Sequence, residues 1–150
     1  MPRINVSSEI RVPPQRAWEL MCDAKRYGEW VIPTDEVLEA PDGPIEAGTV
    51  YREHGGIPPF KGDSEWHVTA FEPMRRQVHV GDDGVMTMTL EILMEPVDAG
   101  TKLTLDIDFE PRWFMKPMVL VMWALLMGRR GEEAMQGTID NFKRLAEAEA

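Results

Sequence analysis

Residues 134–146, AMQGTIDNFKRLA, carry the periodicity of a helix packed by one face. Ala134, Met135, Thr138, Ile139, Phe142, Leu145 and Ala146 fall on one side of the wheel. Gln136, Asp140, Lys143, Arg144 and Glu147 take the other. Carried backwards at about 100° per residue, the pattern makes Pro111 to Ala150 one long C-terminal helix laid over a sheet. Its inward stripe then continues through Gly131, Gly128, Ala124 and Leu120 or Val121. Small residues facing a sheet hold the helix close or leave a hollow. The expectation is a hollow, an apolar pocket of roughly 300–1,000 Å³.

The bulk properties narrow the function classes. At 150 residues the chain is read as a single domain, 1–150, with room for a substantial core. It carries 16 basic and 26 acidic residues, a net charge of −10, and 21 of the acids precede Pro111. Such a surface repels phosphate backbones, so no nucleic-acid partner is expected. A lone cysteine, Cys22, makes no internal disulfide and fits a reducing cytoplasmic setting. Met1 to Arg11 has no apolar run of the kind that opens a signal peptide. Met118 to Met127 is apolar throughout, but its ten residues are half of the roughly 20 that span a bilayer. Eleven methionines supply an adaptable filler for cores and permissive apolar surfaces.

Ahead of the helix the chain reads as strands. Ile4, Val6, Ser8, Ile10 and Val12 alternate with polar residues until Pro13-Pro14 stops the strand and suits the first turn of a helix. Ala17, Trp18, Met21 and Cys22 give a short helical face. Asp23 is placed to cap a second helix, Ala24 to Trp30, that presents Tyr27 and Trp30. Val37 to Ala40 is a short strand. Thr49 to His54 is another, closed by Gly55-Gly56 and Pro58-Pro59. Ser64 to Phe71 and Arg75 to Val80 follow. The clearest strands are Met86 to Met94 and Leu103 to Phe109, each with one apolar and one wet face. The sheet is therefore antiparallel and covered on one side. The fold class is α+β: about six to seven curved antiparallel strands around a long C-terminal helix, with two short helices after the first strand.

These segments carry a resemblance that spans the whole chain. Pro13-Pro14-Gln15-Arg16-Ala17-Trp18-Glu19-Leu20 after the first strand, and Asp23 with Tyr27 and Trp30, resemble the opening of the SRPBCC or START-like superfamily. Gly48-Thr49, Trp66-His67-Val68-Thr69, Glu72-Pro73 and Gly100-Thr101-Lys102-Leu103-Thr104 resemble its middle strands. Asn141 to Glu147 resembles its ending. The branch is the polyketide cyclase/dehydrase-like one. The resemblance implies a helix-grip fold with an apolar cavity between sheet and helix. Members bind lipids, polyketides, sterols or other hydrophobic ligands, and only some catalyse a reaction. It also places Tyr27 and Trp30 close to the pocket mouth.

Little chemistry is written in the sequence. Strand phase turns His67 and His79 outward, while His54, in phase with Val50 and Arg52, could point inward, although a surface or strand-end histidine is the favoured reading. Asp106, Asp108 and Glu110 form the wet face of a strand rather than a catalytic pair. No metal spacing, nucleotide loop or nucleophile turn is present, so no catalytic residue, metal or cofactor is expected. The expected cavity lining is Trp18, Tyr27, Trp30, Trp66, Met86, Met88, Leu90, Ile107, Phe109, Ala124, Gly128 and Met135. Arg52 and His54 are candidate polar groups within it. The expected function is the binding or carrying of a small hydrophobic ligand, lipid or polyketide-like, without catalysis. The alternative is an aromatase or cyclase whose pocket folds a polyketide-like chain.

The same helix phase leaves Met118, Val119, Met122 and Leu126 on the polar side, where an apolar run needs a cover. The protein's own loops come first. A homodimer through these four residues comes second. Transient contact with a membrane comes last, because a net charge of −10 opposes anionic lipid.

Overall fold

A computed structural model describes residues 2–58 and 60–149. Met1, Pro59 of the expected Pro58-Pro59 break and Ala150 at the expected helix end lie outside them. The strands are β1 (Arg3–Ile10), β2 (Thr34–Glu39), β3 (Val50–Ile57), β4 (Phe60–Glu72), β5 (Arg76–Asp82), β6 (Met86–Val97) and β7 (Gly100–Pro111). They form one curved antiparallel sheet in the order β1-β7-β6-β5-β4-β3-β2. The chain leaves β1 at one edge and crosses through α1 (Pro14–Met21), a 3₁₀ turn (Ala24–Arg26) and α2 (Tyr27–Trp30) to β2 at the other edge. The C-terminal helix lies in the sheet's concavity. It comprises α3 (Lys116–Met122), a π-helical segment (Trp123–Met127) and α4 (Gly128–Ala148). The α+β helix-grip architecture is therefore the one expected.

The core lies between sheet and helix. On β7, Leu103, Leu105, Ile107 and Phe109 are buried, and Phe142 and Ile139 of α4 are fully enclosed. Asp23 makes no side-chain cap, and a 3₁₀ turn rather than an α-helix follows it. The strand Thr49 to His54 does not close at Gly55-Gly56. Those glycines stay in the ladder opposite Gly62 and Lys61, and the hairpin turns only beyond Ile57, which faces Phe60. The C-terminal helix starts at Lys116 rather than Pro111, because β7 runs on to Pro111 in register with Met86. Among the described residues no helix is long and apolar enough to cross a membrane.

Two differences of phase matter for the site. The first is in β5, where Gln77 and His79 face inward while Val78 and Val80 are half-exposed. Register explains it: His79 pairs with the buried Val68, and Gly81 with the buried Trp66. A methyl group at Gly81 would stand 2.5 Å from the Trp66 ring, so only glycine lets the indole lie against this strand.

The second difference is in the helix. Its buried or half-buried inward positions are Val119, Trp123, Met127, Gly131 and Met135, each four residues from the next. Upstream of Gly131 the inward stripe is one residue earlier than the extrapolated Gly128, Ala124 and Leu120. The π-helical segment is the cause, since each of its hydrogen bonds spans one residue more than in an α-helix. Ala124 is therefore exposed, and Gly128 packs against its own helix, with its Cβ direction meeting Trp123 at 3.0 Å. Gly131 does face the sheet, close to Ile4. Of the four residues expected to need a cover, Val119 is buried inward and Met122 is half-buried. Met118 and Leu126 remain exposed, now beside Leu120, Val121 and Leu125. No loop among the described residues covers them.

Gly81→Ala should lower stability by about 1–3 kcal/mol, the usual cost of overpacking a fixed core. Urea unfolding followed by tryptophan fluorescence measures it, and an unchanged midpoint would mean that Trp66 is not held against β5.

Candidate functional site

An apolar cavity of about 120 Å³ lies between the sheet and the C-terminal helix. Tyr27 and Trp30 reach it from α2, and Trp66 from β4. Met86, Met88 and Leu90 come from β6, Ile107 and Phe109 from β7, and Met135 from α4. Tyr27 and Trp30 are buried in its wall rather than at an exposed mouth. The volume is below the range expected because Trp123 and Met127, not Ala124 and Gly128, face inward. Five of the lining side chains are methionines: Met21, Met86, Met88, Met127 and Met135. Their unbranched chains change rotamer easily, so the wall can yield to an occupant larger than the resting space.

Other expected lining residues are placed elsewhere. Trp18 is buried against Phe71, ring centroids 5.2 Å apart, in a part of the core away from the cavity. Arg52 points to the outer face, where it reaches Glu39 at 3.4 Å. His54 meets Asp63 at 2.8 Å on the same face. Val50, Arg52 and His54 do share a face, and it is the outer one, so the surface reading of His54 holds and neither Arg52 nor His54 is a polar group of the cavity. Tyr51 and Glu53 take the inward positions. The hairpin held the signal. The pairing of Ile57 with Phe60 sets Tyr51 opposite Trp66 and Glu53 opposite Ser64, on the apolar side of β4. His67 is exposed beside Glu65, as strand phase indicated.

The groups that sequence reasoning missed form a polar cluster in the wall. The Tyr51 hydroxyl lies 2.7 Å from His79 Nδ1, and His79 Nε2 lies 2.8 Å from Gln77 Oε1. Gln77 Nε2 points at Cys22 Sγ, 3.4 Å away. The roles follow from one end. A carbonyl oxygen only accepts, so His79 Nε2–H donates to Gln77, Nδ1 is the acceptor, and the tyrosine O–H donates to it. Burial supports the neutral imidazole by pushing the His79 pKa down to about 4. It also pushes the Cys22 thiol up to about 11, so that sulfur keeps its proton. Tyr27 donates to the Met21 carbonyl at 2.7 Å and stands edge-on to Tyr51, 5.4 Å between centroids.

Glu53 completes the cluster. Its Oε2 accepts from the Thr34 hydroxyl at 3.0 Å, which favours the charged form. Burial outweighs that bond and raises the carboxyl pKa to about 7. Near neutrality the group both holds and releases a proton. Trp30 adds an unused donor: its Nε1 is buried with no acceptor among the described residues. A buried donor left unpaired costs on the order of 1–3 kcal/mol. The described residues contain no group of three or more histidine, cysteine or carboxylate side chains arranged to hold a metal ion.

The sequence pattern of the family described as "Polyketide cyclase / dehydrase and lipid transport" matches residues 1–147. Toxin Rv0910 of Mycobacterium tuberculosis (strain ATCC 25618 / H37Rv) is 21% identical over 127 residues, covering 84% of this chain and 88% of that one. The crystal structure of TTHA0849 from Thermus thermophilus superposes with a TM-score of 0.75 at 15% identity, covering 99% of both chains. The Zhui aromatase/cyclase from Streptomyces sp. R1128 superposes with a TM-score of 0.73 at 18% identity, covering 97% of this chain and 93% of that one. At these identities the superpositions show a shared fold.

Glu53 makes stability fall as pH rises. Its folded pKa of about 7 lies above the usual carboxylate value of 4.5, so the folded state binds the extra proton between those values. Stability from this group is full below about pH 4.5 and is lost on passing pH 7. Glu53→Gln keeps an acceptor for Thr34 and removes the titration. The variant should gain up to about 3 kcal/mol over the parent at pH 8.5, and the gain should vanish near pH 4.5. Denaturant melts across that range measure the difference, and a pH-independent offset would show that Glu53 is solvated.

Proposed function

The chain belongs to the polyketide cyclase / dehydrase and lipid transport family, and on that footing we propose that it binds a small hydrophobic ligand carrying at least one oxygen. The observation that carries this reading is the apolar cavity between sheet and helix, with its methionine-rich wall and one polar cluster. Apolar burial supplies the affinity, at roughly 25 cal/mol per Å² removed from water before ordering costs. The unpaired Trp30 N–H, the Tyr51 oxygen and the Glu53 carboxyl supply orientation. A carbonyl or hydroxyl oxygen on the ligand meets the one unmatched donor among them, Trp30 Nε1. Carriage without reaction needs nothing more than this.

One observation favours a second reading, that of an aromatase- or cyclase-type enzyme. A carboxyl poised near pH 7 beside a tyrosine–imidazole pair suits proton removal next to a carbonyl and return of that proton to a departing hydroxyl. The name of the Zhui aromatase/cyclase, whose fold this chain shares, fits the same chemistry. The two readings separate on a poly-β-carbonyl probe. Carriage returns it unchanged, whereas catalysis gives a product that has lost water, and Glu53→Gln suppresses that product.

Binding itself is tested with 2-naphthol and naphthalene, which differ by one hydroxyl. The parent protein should bind 2-naphthol about tenfold more tightly, the worth of one net hydrogen bond. Met127→Trp, which fills the cavity, should abolish binding of both. Isothermal titration reads both effects. Equal affinity for the two probes would sink the polar cluster's role, and unchanged binding in a folded Met127→Trp variant would sink the cavity.

A further inference from the structure

We propose that the β7–α3 connection and the outward side of α3 and the π-helical segment form a docking surface for a lipid bilayer with anionic headgroups. The first observation is exposure. Trp113 is 85% exposed and Leu125 78%, and Phe114, Met118 and Val121 are exposed beside them. The Trp113 and Phe114 rings stand edge-on, 5.7 Å between centroids. Adjacent apolar side chains of this size in water mark a contact surface rather than ordinary surface scatter. An indole at the edge of such a patch suits the boundary between headgroup and acyl chain.

The second observation is charge, and it selects the occupant. Residues 111–131 contain Arg112, Lys116, Arg129 and Arg130 and no acidic residue, in a chain with 26 acids. Asp82 holds Arg112 at 3.0 Å, and Glu133 lies 3.3 Å from Arg129. Lys116 and Arg130 have no acidic partner among the described residues. An apolar surface framed by cations matches an interfacial element on anionic lipid. A second copy of the chain fits worse, because an isologous contact would press this cationic frame against itself. The overall net charge of −10 is spread over the rest of the molecule. At physiological ionic strength it is screened beyond about 8 Å, so the patch acts locally.

The surface backs onto the cavity. Val119, Trp123 and Met127 face inward from the helix whose other side carries Val121 and Leu125. A docked bilayer would therefore lie against the cavity's roof, the place for a hydrophobic ligand to pass between lipid and protein. That consequence rests on the binding reading above. The docking does not.

Flotation with vesicles of phosphatidylcholine alone, and of phosphatidylcholine mixed with phosphatidylglycerol, tests the proposal. The protein should float with the mixed vesicles at least about tenfold more strongly, and the preference should fade as salt is added. Leu125→Glu, and separately Arg129→Glu combined with Arg130→Glu, should each reduce flotation at least about tenfold. All three side chains are exposed, so circular dichroism and 2-naphthol binding should match the parent. Absence of flotation with either vesicle overturns the proposal. So does sedimentation of the parent as a dimer that Leu125→Glu dissociates without any vesicle binding. Loss of flotation with 2-naphthol binding intact rejects docking alone. Flotation without 2-naphthol binding rejects the cavity reading alone.

Discussion

A helix 33 residues long has to present one continuous face to a curved sheet, and a straight α-helix drifts away from such a line. The π-helical segment Trp123–Met127 absorbs the drift. With it, inward positions recur at Val119, Trp123, Met127, Gly131 and Met135. Much of the site depends on this shift of one residue. It turns Trp123 and Met127 into the space that Ala124 and Gly128 would have left open, and so sets the size of the cavity. It also turns Leu125 and Val121 out into water, and so creates the apolar surface.

The other constraint is hydrogen-bond satisfaction inside an apolar shell. His79 and Gln77 are fully buried on β5, where an unpaired polar group would be expensive. They are tolerated because Tyr51 and Cys22 complete a chain of bonds from β3 through β5 to the residue after α1. The chain uses both imidazole nitrogens, which leaves the ring neutral and held by structure. Glu53 differs in having the Thr34 hydroxyl as its close hydrogen-bonded partner at the cavity wall. Its proton therefore remains available to whatever enters. The fold thus separates a rigid polar bracket, built on His79, from a responsive polar group, Glu53.

Charge is distributed with the same economy. The acidic residues are spread over the strands, the short helices, the turns and the later part of α4, while the β7–α3 connection and the helix up to Gly131 carry only basic charges. Surface ion pairs such as Arg3–Asp106 and Arg26–Glu149 join distant parts of the chain but are exposed, so they add little to stability. Stability rests on the buried faces of β6 and β7 and on the buried residues of α4, which packs most closely on β1.

Periodicity alone was enough for the antiparallel sheet, the strand faces of β1, β6 and β7, and the buried side of α4. In each case one side chain in two, or one helical stripe, must leave water, and the spacing records which. Nine of the twelve residues expected to line the cavity are in its wall, and six of them, Met86, Met88, Leu90, Ile107, Phe109 and Met135, lie on those unambiguous faces. Where apolar and polar residues are mixed, the pattern failed. Val50 and Arg52 were indistinguishable by phase from Tyr51 and Glu53 until the hairpin register set Tyr51 against Trp66. Val78 and Val80 looked like the buried face of β5, yet Gln77 and His79 are inside, because partners distant in sequence satisfy them and Gly81 admits the Trp66 ring. The shifted helix phase leaves no trace in residues 118–127, which are apolar on every side. Such a stretch fits the sheet in more than one rotation, and only the packing of Trp123 and Met127 against the sheet and its neighbours selects one.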